Sequence, residues 1–212
     1  MEIVKKNIKQ VELDESLKKE KKKIINKYNI SPMVVDLLFS RNYNTLEKVE
    51  EFFNPKESSF YDPFLLKGMD RLVKRVKKAI EKNEKVLIFG DYDVDGVSAS
   101  AILIKYFASI QFYVDYFLPN RYVDGYGLTK ESILHVKEKY NPTLLITVDC
   151  GISCYEEVEF AKTLGIDIVV TDHHDIPDVI PNTIIVNPKL DKQEYPFKSL
   201  CGTGVAFKVV QA

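Results

Sequence analysis

Apolar and polar positions alternate in two different rhythms along this chain, and the change falls near residue 86. Upstream, residues 12–29 are mostly charged, with Leu13, Leu17, Ile24, Ile25 and Tyr28 widely spaced. That spacing predicts a solvent-facing helix that packs weakly. Ser31-Pro32 reads as a helix start, with Ser as N-cap and Pro at the first helical position; Val34, Val35, Leu37 and Leu38 supply its buried side. A second short helix is expected over 45–53, ended by Asn54-Pro55. Residues 60–66 form an aromatic, proline-containing connector. Over 68–82, Leu72, Val73, Val76, Ala79 and Ile80 share one face opposite a row of lysines, the signature of an amphipathic helix.

From residue 86 the pattern becomes strand, helix, strand. Residues 86–89 (VLIF) are a short apolar run closed by a turn, as in a strand buried on both faces. A helix is predicted over 97–108, a strand over 112–118, and a helix over 129–140 with Thr129 as N-cap. The apolar strand 143–148 ends on Asp149. Ser153 and Glu156 have capping-box spacing and open a helix to 164. The strand 166–170 runs into Thr171-Asp172-His173-His174, and 183–186 is a fifth short strand. The expected fold is α/β: an open, mainly parallel five-stranded sheet with helices on both faces, preceded by a small helical leader. The expected division is a leader and connector over 1–66 and the sheet domain over 67–212.

A chain of 212 residues with 45% hydrophobic and 29% charged residues has the composition of a globular protein. No apolar stretch approaches the ~20 residues that span a bilayer, and the N-terminus MEIVKKNIKQ lacks the apolar core of a secretory signal. The expected location is therefore the cytoplasm, with no membrane partner. Three cysteines, Cys150, Cys154 and Cys201, are too few for a disulfide framework, and their spacing is not that of a zinc site. The net charge of −1 conceals a partition. Residues 1–30 carry nine Lys against five acids, residues 67–85 eight Lys/Arg against three acids, and residues 86–212 ten Lys/Arg against seventeen acids. The basic segments suit polyanions or are simply solvated helix faces. The acidic part is what a site built of carboxylates leaves in the count.

The chemistry concentrates at strand ends. Asp91, Asp93 and Asp95 follow the first strand at alternate positions, within VLIFGDYDVDG. Three carboxylates so close repel one another unless a cation neutralises them; alone, the segment also reads as an acidic turn closed by Asp-Gly. Asp149 and the Asp172-His173-His174 triplet close two further strands. Parallel strands present their carboxyl ends at one edge, where open α/β sheets bind ligands, so the three groups are expected to meet. His135, mid-helix, reads as structural. Carboxylates mixed with imidazoles suit Mn²⁺ or Mg²⁺ better than calcium, and two ions sharing a carboxylate are a common arrangement for phosphoester hydrolysis.

DYDVDG, then VDCGIS, then DHH within VVTDHHD resemble the first three motifs of the DHH phosphoesterases. The leader SPMVVDLLFSRNYNTLEKVEEFFNP, the connector DPFLLKGMDR, the segment PNRYVDGYGL and the closing NPKLDKQEYPFKSLCGTGVAFK carry the resemblance further, toward the family's bacterial single-strand-specific exonucleases. The resemblance implies two ions, Mn²⁺ or Mg²⁺, with Asp93, Asp95, Asp149 and His173 as ligands, Asp149 as the bridge, and Asp91 as a ligand or its neighbour. It implies that His174 faces the scissile phosphate or protonates the leaving oxygen, and that Asp172 orients the histidines. Arg121, followed by the turn at Gly125–Gly127, is a candidate phosphate contact or an ordinary surface arginine. Gly202 and Gly204 open a final helix, either to present N–H groups to a phosphate or to pack helix on sheet. Phe89 stands where phosphatase branches of the family carry a ligand histidine.

The family also has a fourth motif, a further aspartate ligand, for which no candidate is evident: Asp175, Asp178, Asp191 and Glu194 all fall in or near loops before CGTG. The chain stops inside an expected helix, so it reads as an N-terminal fragment holding most of the metal site and little of a DNA groove. The expected activity is metal-dependent hydrolysis of single-stranded DNA from its 5′ end, in repair and recombination, with a helicase and a single-strand-binding protein as partners. Two alternatives are a phosphodiesterase acting on short oligonucleotides or cyclic dinucleotides, and a non-catalytic binding module of a replication complex.

Overall fold

The computed structural model describes residues 14–120, 127–190 and 195–212. The chain forms two compact units that divide between Phe60 and Tyr61.

In the first unit, α1 (Glu15–Tyr28), α2 (Pro32–Phe39) and α3 (Leu46–Phe53) surround a small core of Ile24, Val35, Leu38 and Val49. Each helix starts where a side chain can take an orphan N–H: Asp14 accepts from Leu17, Ser31 from Val34, and Thr45 from Lys48. The charged α1 was expected to pack weakly. It nevertheless buries Ile24 completely, because α2 and α3 both pack against it.

The second unit is a five-stranded sheet in the order β2-β1-β3-β4-β5, with every pairing parallel. Its strands are β1 (Val86–Gly90), β2 (Asp115–Phe117), β3 (Leu144–Val148), β4 (Asp167–Thr171) and β5 (Ile184–Val186). A helix α4 (Met69–Glu81) precedes them; α5 (Val94–Ser109), α6 (Lys130–Tyr140) and α7 (Tyr155–Thr163) form crossovers, and α8 (Gly202–Gln211) follows. Strand side chains alternate between two cores, as the period of two requires. Val86, Ile88, Leu144, Ile146, Val148 and Val169 face one core with residues of α4, α5 and α8. Leu87, Phe89, Leu145, Ile168 and Val170 face the other, with residues of α6 and α7. Burial on both faces explains why β1 and β3 read as unbroken apolar runs. A short 3-10 turn, Pro63–Leu65, leads into the sheet unit, where Leu66 is buried.

Three local expectations change. First, α5 starts at Val94 rather than 97, because the Asp93 side chain caps it by accepting from the N–H groups of Asp95 and Gly96. Asp95 therefore sits in the first helical turn. Second, β2 shrinks to three residues, since only Asp115–Phe117 has register with β1. Third, the Ser153/Glu156 capping box is not made: α7 opens after Cys154, without a side-chain cap. The Thr129 cap forms, completed by Ser132.

Candidate metal centre

Strand order reverses at β1, which lies between β2 and β3, and such a switch point opens a crevice at the carboxyl ends of its strands. Asp91 follows β1 directly and is 3% exposed. Its Oδ1 accepts from the Tyr92 N–H at 2.7 Å, yet burial, reinforced by Asp93, pushes its carboxyl above the usual range. Asp93 is exposed and spends Oδ1 on capping α5.

Asp149 follows β3 with φ +62°, a left-handed conformation that costs a residue with a Cβ about 1–2 kcal/mol. Such strain persists where surrounding structure over-determines it, typically at functional positions. Here the Asp149 N–H donates to the Thr171 carbonyl at 3.0 Å, which carries the β3–β4 ladder one step past the strand. Its carboxylate is 2% exposed. Oδ1 has no hydrogen-bond partner among the described residues. Burial, then the charges of Asp95 and Asp93, push this carboxyl up to about 7.

The DHH triplet follows β4. Asp172, 1% exposed, stands behind the histidines. Its Oδ2 accepts from the Ile152 N–H at 2.9 Å, and its Oδ1 from the N–H groups of His173 (2.7 Å) and His174 (3.1 Å). The same Oδ1 lies 2.8 Å from His174 Nδ1. Burial lowers the basicity of His174, but the Asp172 carboxylate outweighs it and holds the imidazole above its usual pKa. His173 points Nε2 at two other carboxylates, 3.0 Å from Asp149 Oδ1 and 3.5 Å from Asp95 Oδ2.

Asp91, Asp93 and Asp149 can bring one carboxylate oxygen each within 4.8 Å of one another, and Asp149, His173 and His174 form a second such group. Asp149 belongs to both. Asp95 is held differently. Its Oδ2 accepts from the Gly202 N–H at 2.7 Å; its Oδ1 accepts from the Thr203 N–H at 2.8 Å and the Thr203 hydroxyl at 2.6 Å. Burial alone would raise its carboxyl, but these bonds overcome burial and keep it low. The N–H of Gly204 donates to Cys201 Sγ at 3.4 Å. The amides of Gly202 and Gly204 are thus engaged inside the protein rather than open to a phosphate. Arg121 and Gly125 lie outside the described residues, as do Asp191 and Glu194. Asp175 is exposed and pairs with Lys189 at 2.8 Å. Phe89 is fully buried, its ring against Phe117. His135 is exposed and packs on Phe117.

Sequence reasoning did not single out Thr203 or Asn187. Asn187, buried, donates from Nδ2 to the His174 carbonyl at 3.0 Å. The one sequence signal for Thr203 was its place between the two glycines of CGTG.

The donors fit a small divalent cation on the structure's own terms. A buried carboxylate oxygen that accepts no hydrogen bond is costly, and the neighbouring carboxylates make that cost electrostatic as well. Carboxylate oxygen with imidazole nitrogen is a donor set for first-row divalent ions.

A five-stranded parallel sheet with Asp and His side chains gathered at its switch point defines an α/β domain with a candidate metal centre. Residues 85–212 match the DHH family, N-terminal domain, and the chain belongs to that family. It is similar to the single-stranded-DNA-specific exonuclease RecJ of Bacillus subtilis, at 40% identity over 192 residues, 90% of this chain and 24% of that relative. A crystal structure of exonuclease RecJ bound to manganese aligns with a TM-score of 0.63 at 32% identity, covering 68% of this chain and 37% of that one. RecJ in complex with Mn²⁺ from Thermus thermophilus aligns with a TM-score of 0.68 over 91% of this chain and 26% of that one. At 24% identity the latter shows the fold alone. The chain spans about a quarter of the length of the Bacillus subtilis relative.

Proposed function

We propose that this chain carries the metal-binding part of a phosphodiesterase that removes nucleotides from the 5′ end of single-stranded DNA. The observation that carries the reading is Asp149, which belongs to both donor groups and whose buried Oδ1 accepts no hydrogen bond among the described residues, only facing His173 Nε2 at 3.0 Å. Similarity to exonuclease RecJ supplies the substrate class.

Asp93, Asp95, Asp149 and His173 would hold Mn²⁺ or Mg²⁺, with Asp149 between two ions and Asp91 beside them. Such ions supply charge neutralisation, polarisation of a phosphoryl oxygen and activation of water. The protein's own contribution is positional and protonic. Asp172 fixes both histidines through Oδ1 and is itself fixed by the Ile152 N–H. With Nδ1 of His174 engaged by Asp172, Nε2 is the atom free to meet substrate. The raised basicity of His174 favours the protonated imidazole that a general acid needs at the leaving oxygen. Arg121 stays a candidate phosphate contact.

Single strands with free 5′ ends arise during repair and recombination in the cytoplasm. A helicase that opens duplex and a single-strand-binding protein that covers the product are the partners this substrate implies. Among the described residues, no helix is long and apolar enough to cross a membrane.

The test is release of mononucleotides from a 5′-phosphorylated single-stranded oligonucleotide with Mn²⁺, beside Asp93→Ala and a calorimetric Mn²⁺ titration. Digestion from the 5′ end that disappears in the variant is expected. A wild-type chain that binds no Mn²⁺ overturns the metal reading; equal digestion by the variant overturns the residue assignment.

A further inference from the structure

The first turn of α8 touches two of the carboxylates that face His173, and it does so through a residue with no side chain. The Gly202 N–H donates to Asp95 Oδ2 at 2.7 Å. On the other side, a Cβ at position 202 would lie 2.4 Å from Asp149 Oδ1 and 2.6 Å from both Asp149 Cβ and Cγ. No atom fits at those distances, so any larger residue forces Asp149 or α8 to move. Asp149 has little room to yield: it is buried, strained at φ +62° and tied by its N–H to Thr171. Asp95 has little freedom either, because Thr203 holds its Oδ1 from backbone and hydroxyl together. Asp95 and Gly202 are 107 residues apart in sequence, so this contact comes only from packing α8 against α5.

We infer that Gly202 is a positioning residue that sets the spacing between the Asp95 and Asp149 carboxylates on either side of His173. It contacts neither substrate nor a reacting atom. Its N–H locates one carboxylate, its missing side chain makes room for the other, and Thr203 locks the first in rotation. A donor pair displaced by a fraction of an ångström holds a small cation poorly, and residues that orient ligands typically change metal affinity 10–100-fold. This assignment rests on the metal-site reading above and adds to it a determinant outside the DHH motifs.

Gly204 provides the matched control. It lies in the same turn, but a Cβ there would meet Leu200 at 3.1 Å and Cys201 Sγ at 3.8 Å, away from both carboxylates. Gly→Ala at either position alters the same first turn of α8, so a much larger loss in Gly202→Ala than in Gly204→Ala reports on Asp149 and Asp95. The experiment is Mn²⁺ titration by calorimetry, with the electron paramagnetic resonance spectrum of bound Mn²⁺, on wild type, Gly202→Ala, Gly204→Ala, Thr203→Val and Thr203→Ser; circular dichroism checks folding. The expected result is Mn²⁺ affinity at least about tenfold weaker in Gly202→Ala with an altered spectrum, and within about twofold of wild type in Gly204→Ala. Thr203→Val should weaken binding by a few-fold, and Thr203→Ser should restore it.

Wild type that binds Mn²⁺ with Gly202→Ala matching it in affinity and spectrum overturns the inference and leaves the metal site standing. Equal losses in the two glycine variants overturn it too, since they point to a general effect on α8. Should Gly202→Ala not fold, the Thr203 pair decides: a loss in Val rescued by Ser upholds the clamp, and no loss defeats it. Wild type that binds no Mn²⁺ overturns the metal-site reading and the inference with it.

Discussion

Carboxylates gather at both ends of the same parallel sheet, and the two ends treat them in opposite ways. At the amino edge, Arg75 of α4 reaches Glu84 with its guanidinium at 2.8 Å and Asp167 with Nε at 2.5 Å, while the Thr143 hydroxyl donates to Glu84 at 3.1 Å. The Arg75 guanidinium holds the Glu84 carboxyl below its usual range. At the carboxyl edge, the ion-pair partners of Asp95, Asp149 and Asp172 among the described residues are histidines. There Asp91 and Asp149 are pushed up instead. One edge carries its own cation and is a clamp. The other sets carboxylates against histidines and against one another, a crowding of negative charge that a divalent cation would relieve.

Removing the central member of each edge breaks the comparison most severely. Asp149→Asn should weaken Mn²⁺ affinity by about 100-fold or more, measured by calorimetry, while raising the unfolding temperature of the metal-free chain at pH ~8 because an uncompensated buried charge is gone. Asp149→Ala should lose more metal binding than Asp91→Ala, since Asp149 belongs to both donor groups; equal losses would sink its bridging role. Arg75→Ala should do the reverse. It should cost about 2 kcal/mol in denaturant unfolding, because Glu84 and Asp167 lose their shared cation, and leave Mn²⁺ affinity unchanged. A parallel fall in affinity would mean the two edges are coupled.

Adding a divalent cation sharpens the contrast. At about 100 times its dissociation constant, Mn²⁺ should stabilise the chain by about 2.7 kcal/mol, visible as a rise in melting temperature that EDTA reverses. The effect should depend on pH with a definite sign. The Asp149 carboxyl sits near 7 when folded, above the usual carboxylate value of about 4. Without metal, its contribution to stability is present below about pH 4 and is lost as pH rises through about 7. Below about 7 a cation must also displace that proton, so Mn²⁺ affinity should climb with pH, close to tenfold per unit, and flatten above about 7. A flat profile between pH ~5.5 and ~8 would show Asp149 already ionised. The smallest effect belongs to the exposed pair Lys18–Glu15, where Lys18→Ala should change stability by less than about 0.5 kcal/mol.

Much of this was legible beforehand. The apolar runs that became β1, β3 and β4 are visible because both faces of each strand are buried, which removes polar residues from the sequence itself. Alternation with amphipathic helices then implied parallel pairing, and parallel pairing brought Asp91, Asp149 and the DHH triplet to one edge. Less legible were features with weak local signals. The short β2 depends on register with β1, and α7 opens after Cys154 with no side-chain cap, so Ser153 falls one residue outside the capping position. The start of α5 at Val94 followed from Asp93 choosing backbone N–H groups as partners, one of several options open to an aspartate.

The sequence by itself determined which chemical groups meet: periodicity fixes strands, parallel strands share an edge, and their last residues are Asp and His. Only the tertiary structure decided what each group is free to do. Asp93, Asp95 and Asp149 are the same residue type, yet one caps a helix, one is gripped by α8, and one is buried against His173 with an oxygen that accepts no hydrogen bond among the described residues. Those fates turn on contacts between segments as far as 108 residues apart. Hydrogen-bond geometry and burial at that range depend on how helices seat against the sheet, and no local pattern of residues encodes them.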